Sequence, residues 1–164
     1  MPHSHFQLHK EGRPFRIIVV DDNEVLLKAW QKMLQRAGYD GLTTTEPEEA
    51  LEEIEYRGAD LLICDIVMPH MDGFELIQRL EKMPRLSGAQ QPKVVLTTGY
   101  VCDFKRLRLD VGDQDVHVLL KPYNSIEEVL HFIERVLKSD ETLLQQEENP
   151  AQTLDDARVH LWSL

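Results

Sequence analysis

The sequence predicts an α/β domain, a doubly wound parallel sheet of five strands with helices on both faces. Three observations predict it. Short β-branched runs alternate five times with amphipathic segments of helical spacing. The strand runs are apolar almost throughout, as buried strands are. Asn and Gly stand where helices should start and stop.

The elements follow in order. "RIIVV" (16–20) reads as the first buried strand. "NEVLLKAWQKMLQRAG" places Val25, Leu26, Ala29, Met33, Leu34 and Ala37 at helical spacing, with Asn23 as N-cap and Gly38 as stop. "YDGLTTT" (39–45) is a weaker strand, expected near an edge. Thr45 and Glu48 have capping-box spacing for a helix that closes at Gly58. "DLLIC" (60–64) is a third strand. Asp72 and Glu75 repeat the capping-box spacing before "FELIQRLEKM". "SGAQQP" (87–92) is a loop and "KVVLTT" (93–98) a fourth strand. "DFKRLRLD" (103–110) is a short helix and "VHVLL" (116–120) the fifth strand. The last helix, 124–138, sets Ile126, Val129, Leu130, Ile133 and Leu137 on one face.

Three parts are therefore expected: a flexible extension over 1–13, the folded domain over 14–138, and an acidic tail over 139–164 that is disordered or marginally helical. Apolar residues in the tail, with Trp162 as anchor, leave open a docking segment. His3, His5 and His9 have a spacing that could hold a metal, but a disordered N-terminus explains them more simply.

Composition narrows the function. At 42% hydrophobic and 29% charged, the chain is globular. Its apolar runs are too short to cross a bilayer, and its N-terminus lacks the apolar core of a secretory signal. The cysteines, Cys64 and Cys102, form no C-x-x-C, which favours free thiols and a cytoplasmic setting. The net charge of −11, with no basic stretch, argues against direct nucleic-acid binding.

Polar residues stand at the strand ends. Asp21 and Asp22 follow the first strand, Asp65 the third, Thr97 and Thr98 end the fourth, and Lys121-Pro122 follow the fifth. In an open parallel sheet ligands bind beyond the carboxyl ends of the strands, so these groups converge on one edge. Three crowded carboxylates repel one another, and a hard cation such as Mg²⁺ relieves this. One aspartate can then attack phosphorus, with Lys121 and a threonine hydroxyl to meet the phosphoryl oxygens. Asp21-Asp22 as a plain helix cap, or Lys121-Pro122 as a plain turn, would explain each piece alone but not the set.

The pieces "VVDDN", "CDIVMPHMDG", "LTTGY" and "LLKPY", in this order, resemble the receiver domain of two-component response regulators over roughly residues 14–138. The resemblance implies a (βα)₅ flavodoxin-like fold with strand order 2-1-3-4-5. It implies Asp65 as phosphoacceptor. Mg²⁺ would be held by Asp22, Asp65 and the Val67 backbone carbonyl, with Asp21 helping. Thr98 rather than Thr97 would be the switch hydroxyl, because Gly99 follows it. Lys121 would pair with the phosphate across a cis bond to Pro122, and Pro69 and Gly73 would shape the loop after the acceptor. The implied partners are a histidine kinase or histidine phosphotransfer protein and a downstream protein target. Signalling by protein contact without a fused output domain is expected, and homodimerisation is left open.

The chain departs from the family pattern in places. Val118 stands where the family carries an aromatic three residues before the lysine. Val67 and Tyr100 flank the path of an attacking water and should alter the lifetime of the phosphorylated state. Two other readings compete. A haloacid-dehalogenase-type phosphohydrolase needs a second aspartate two residues after the first, where Val67 stands. A receiver fold used only as a scaffold would not accept phosphate at all.

Overall fold

The computed structural model describes residues 12–84, 90–99, 116–146 and 159–162. The strands are β1 (Arg16–Val20), β2 (Asp40–Thr44), β3 (Leu61–Asp65), β4 (Lys93–Thr98), β5 (Val116–Leu120) and β6 (Val159–Trp162). The helices are α1 (Glu24–Arg36), α2 (Pro47–Arg57), α3 (Gly73–Lys82) and α4 (Ile126–Gln146). The short helix expected over 103–110, Tyr100, Cys102 and the N-terminal histidines lie outside the described residues.

All the strands pair in parallel, in the order β2-β1-β3-β4-β5-β6. The expected order 2-1-3-4-5 is present, and β6 extends it beyond β5. Every residue of β1 and β3 is buried. Side-chain alternation divides the core into two layers. Ile18, Val20, Leu62, Cys64, Leu96 and Val118 face α2 and α3. Ile17, Val19, Leu61, Ile63, Val95 and Leu119 face α1 and α4. β2, with its Asp-Gly start, is the half-buried edge that its weak pattern implied.

Four expectations change. In α1 the buried stripe is Leu27, Trp30, Met33 and Leu34, while Val25 is 77% exposed. Apolar residues ring the first turns of this helix, so spacing alone admitted two stripes. In α2 the N-cap is Glu46, one residue later than the expected Thr45, and its side chain makes no capping hydrogen bond. The Thr44 hydroxyl accepts from the Glu46 backbone N–H and donates to the Glu49 carboxylate, while Pro47 fills the first turn. In α4, Ile126 is exposed, and Phe132 and Val136 are buried beside Val129 and Ile133. This helix also runs past 138 to Gln146, so the expected boundary falls inside a helix.

The fourth change is β6. It lies in the segment expected to be disordered or marginally helical, and its backbone pairs with β5 from Val116↔Val159 to Leu119↔Trp162. A four-residue strand is too short to read from periodicity. Its partners come from a sheet edge far away in sequence.

Candidate functional site

The site is built from the turns that follow β1, β3 and β5. Asn23 caps α1 by accepting from the backbone N–H groups of Val25 and Leu26, which fixes the turn that carries Asp21 and Asp22. Asp21 is 2% exposed. Its Oδ1 accepts from the Asn23 N–H at 2.9 Å and its Oδ2 from Lys121 Nζ at 2.7 Å. Lys121 Nζ also donates to Asp65 Oδ2 at 2.8 Å, and the Val67 N–H donates to Asp65 Oδ1 at 3.3 Å. One ammonium thus bridges two carboxylates brought together from residues 21 and 65.

The backbone holds this bridge in place. The Lys121 N–H donates to the Thr98 carbonyl at 2.8 Å, and the Ile66 N–H donates to the Thr97 carbonyl at 3.0 Å. The Lys121-Pro122 bond is cis, as the resemblance implied. Beyond Asp65 the loop turns through His70, at φ 68°, with the Met71 N–H donating to the Pro69 carbonyl at 2.8 Å.

Gly73 opens α3 where its backbone passes close to the end of β3. A Cβ there would lie 2.6 Å from the Asp65 carbonyl oxygen and 3.0 Å from Ile66 Cα. Both are backbone atoms and cannot swing aside. Gly73→Ala should therefore lower stability by about 1–3 kcal/mol. A Cβ at Gly99 would meet nothing within 4 Å, so Gly99→Ala should stay within about 0.5 kcal/mol. Urea unfolding of the two variants measures the contrast.

The charge balance at this edge is uneven. At the opposite end of the sheet, carboxylates meet arginines. Arg16 pairs with Asp40 and Glu53, and Arg13 with Asp60. At the carboxyl edge Asp21, Asp22 and Asp65 present oxygens that all lie within 4.8 Å of one another, with Lys121 among them. Burial works against the charge on Lys121, but hydrogen bonds to Asp21 and Asp65 and their negative charges outweigh it. The pKa of the ammonium is raised above its ordinary 10.5. The lysine therefore stays charged at neutral pH, and a net negative charge remains. Carboxylate oxygens are hard donors, and this set suits a hard divalent cation such as Mg²⁺.

The other residues singled out in the sequence lie around that cluster at different depths. Thr98 is 2% exposed, but alternation sets it on the α2/α3 side, and its backbone carbonyl makes the contact to Lys121. Val67 is 61% exposed at the lip of the site. Val118 is fully buried in the α2/α3 layer. Cys64, next to Asp65, is buried, and burial together with the charge of Asp65 pushes its thiol pKa far up, so it is unreactive in the folded chain.

Tyr123 went unassigned in the sequence. It lies two residues beyond Lys121, and its ring packs edge-on against Trp30 with centroids 5.7 Å apart. An aromatic so close to a site lysine was the available signal.

The comparisons agree with this geometry. The chain is 32% identical over 126 residues to the alkaline phosphatase synthesis transcriptional regulatory protein PhoP of Bacillus subtilis (strain 168), a match that covers 77% of this chain and 50% of that protein. The chain spans about half the length of the curated relatives it matches. Among solved structures, a CheY-like response regulator receiver domain protein from Methanospirillum hungatei JF-1 superposes with a TM-score of 0.65 at 28% identity, covering 79% of this chain and 98% of that one. The chemotaxis protein CheY4 of Vibrio cholerae gives 0.63 at 27% identity, covering 75% and 98%. The sequence profile of the response regulator receiver domain matches residues 17–134. Fold, strand-end carboxylates and profile agree over the same stretch, and the chain belongs to the response regulator receiver domain family.

Proposed function

We propose that Asp65 accepts a phosphoryl group from a phosphohistidine of a histidine kinase or histidine phosphotransfer protein. The observation that carries this reading is the Lys121 bridge between Asp21 and Asp65 at the carboxyl edge of the sheet. A carboxylate oxygen of Asp65 attacks phosphorus. The P–N bond breaks, its electron pair stays with the imidazole, and a P–O bond forms to give an acyl phosphate. Lys121 releases Asp65 and follows the new negative charge, turning its ammonium to a phosphoryl oxygen while Asp21 keeps it in reach. Asp21, Asp22 and Asp65, with the Val67 carbonyl, would hold Mg²⁺, which when bound supplies positive charge to the phosphoryl oxygens.

Thr98 is the hydroxyl assigned to report phosphorylation, and Pro69, Gly73 and Pro122 keep the two loops in register. Val67, Val25 and Ile126 are exposed aliphatics at the ends of elements that border this edge. They offer an apolar rim to a docking phosphodonor helix. The signal then passes to a protein target through the surface of the domain.

Intact-protein mass after incubation with acetyl phosphate tests this reading, with and without Mg²⁺, on wild type and Asp65→Asn. A Mg²⁺-dependent gain of one phosphoryl group in the wild type, absent from the variant, is expected. A folded wild type that gains nothing from acetyl phosphate or from a phosphorylated histidine donor would reduce the domain to an interaction scaffold.

A further inference from the structure

Strands β5 and β6 repeat one pattern. β5 reads Val-His-Val-Leu over 116–119, and β6 reads Val-His-Leu-Trp over 159–162. The ladder pairs them in parallel and in register, Val116↔Val159, His117↔His160, Val118↔Leu161 and Leu119↔Trp162. Valine stands opposite valine, histidine opposite histidine, and apolar residues opposite apolar residues. Parallel, in-register stacking of like segments is an arrangement by which separate chains join through backbone bonds.

The two sides of the sheet are finished differently. β2 opens with Asp40-Gly41, and Arg16 pairs with Asp40. A charge and a glycine blunt an edge strand. β5 is "VHVLL", with no Asp, Glu, Lys, Arg, Pro or Gly. Among the described residues, β6 is the strand that covers its outer edge.

That strand arrives on a long arm. Lys93 opens β4 and donates from Nζ to the Val136 carbonyl at 2.8 Å and to Ser139 Oγ at 2.7 Å. This contact marks where α4 passes the amino edge of the sheet. The helix continues to Gln146, about 10 Å further at 1.5 Å per residue. Residues 147–158 then join it to Val159, which stands beside Val116 at the same edge. A dozen residues can span up to about 40 Å. The arm is long enough to deliver residues 159–162 to its own β5 or to that of another molecule.

We propose that β6 is an exchangeable strand, and that the β5 edge is a docking site for residues 159–162 of a second copy of this chain. Reciprocal exchange gives a closed dimer. The β5–β6 backbone bonds are the same whichever chain supplies β6, so concentration decides between the self-paired monomer and the exchanged dimer. A short flexible tether holds its strand at an effective concentration in the millimolar range, so exchange should emerge as the protein approaches about 1 mM. The inference stands apart from the phosphoacceptor reading and needs nothing from Asp65 or Lys121.

The test uses the full chain with cysteines placed opposite each other. One batch carries Val116→Cys and another Val159→Cys, both with Cys102→Ser, while Cys64 stays buried. Paired strands lie about 4.8 Å apart, within the span of a disulfide. The batches are mixed in a glutathione redox buffer, and disulfides are mapped by peptide mass. A third chain carries both new cysteines and reports pairing within one molecule. Circular dichroism checks that every chain is folded.

A disulfide between positions 116 and 159 of two chains is expected, with a yield that rises with concentration. The chain with both cysteines should close on itself when dilute. His160→Pro with Leu161→Pro, added to the Val159→Cys chain, removes a backbone donor to β5 whichever of the two points that way. The mixed disulfide should then fall about tenfold, the worth of one or two ladder bonds. An excess of a synthetic peptide of residues 157–164 should lower it too. Closure only within single chains up to about 1 mM would overturn the proposal, because β6 would then be fixed to its own domain. Absence of any 116–159 disulfide would remove β6 from the β5 edge. A mixed disulfide untouched by the prolines and by the peptide would report chance collision and would overturn it as well.

Discussion

Replacing Lys121 with methionine should destabilise the metal-free domain by about 2–3 kcal/mol and slow phosphorylation by on the order of 100-fold. The stability loss follows from what the ammonium leaves behind. Asp21 is 2% exposed, and the Asp65 side chain 12%. Methionine fills much of the volume but leaves two buried carboxylates facing each other. Breaking a fully buried pair costs about 3–5 kcal/mol, and the lysine side chain is 21% exposed, so the lower figure applies. For a chain of this size the midpoint should drop by about 6–9 °C.

Two controls make the cause specific. Added Mg²⁺ can take over the charge balance, and at 100 times its dissociation constant a ligand contributes about 2.7 kcal/mol. The variant should therefore recover more of its midpoint in Mg²⁺ than the wild type gains. The second control is pH. The folded pKa of Lys121 is raised above its ordinary 10.5, so its contribution is fully present below that value and is lost as pH rises through the folded pKa. The stability gap between wild type and variant should close in strongly alkaline buffer. A variant as stable as wild type in EDTA, or with the same response to Mg²⁺, would contradict this account of the site.

The sequence resolved the strands better than the helix faces. Four of the five expected strands, 16–20, 60–64, 93–98 and 116–120, are apolar runs buried on both sides, and the structure matches them to within a residue. Their carboxyl ends share one edge because the strands are parallel, so Asp21, Asp65 and Lys121 could be grouped before any distance was known. Position along a strand is one-dimensional information, and a sequence carries it directly.

What the sequence could not resolve was direction around an axis. Thr97 and Thr98 are adjacent, equally buried and equally good strand residues, yet they lie in different layers of the core. Only the pairing of Thr97 with Asp65 shows which layer each enters. β6 was hidden for a different reason. Its pairing with β5 joins segments about forty residues apart, and four residues carry too little local pattern to announce it.

Helix α1 offers the sharpest case, and alanine substitutions at two of its positions should differ by several kcal/mol. Trp30→Ala should cost about 3–5 kcal/mol, a large share of the roughly 5–15 kcal/mol that holds a domain together. Trp30 is 2% exposed in the layer formed with Leu34, Ile63 and Phe132, and it supports the ring of Tyr123. Removing it opens a cavity lined by strand residues that cannot collapse into it, and the turn after Lys121 loses its backing. Val25→Ala should change stability by less than about 0.5 kcal/mol, because Val25 is 77% exposed. The two residues are five apart in one helix, and residue spacing alone could assign either to the core. Urea unfolding should show a large fall in midpoint for the first variant and none for the second. The reverse result would mean that α1 is rotated about its axis. Asn23 caps that helix beside Asp21, so a rotated α1 would also move the carboxylates of Asp21 and Asp22 away from Lys121.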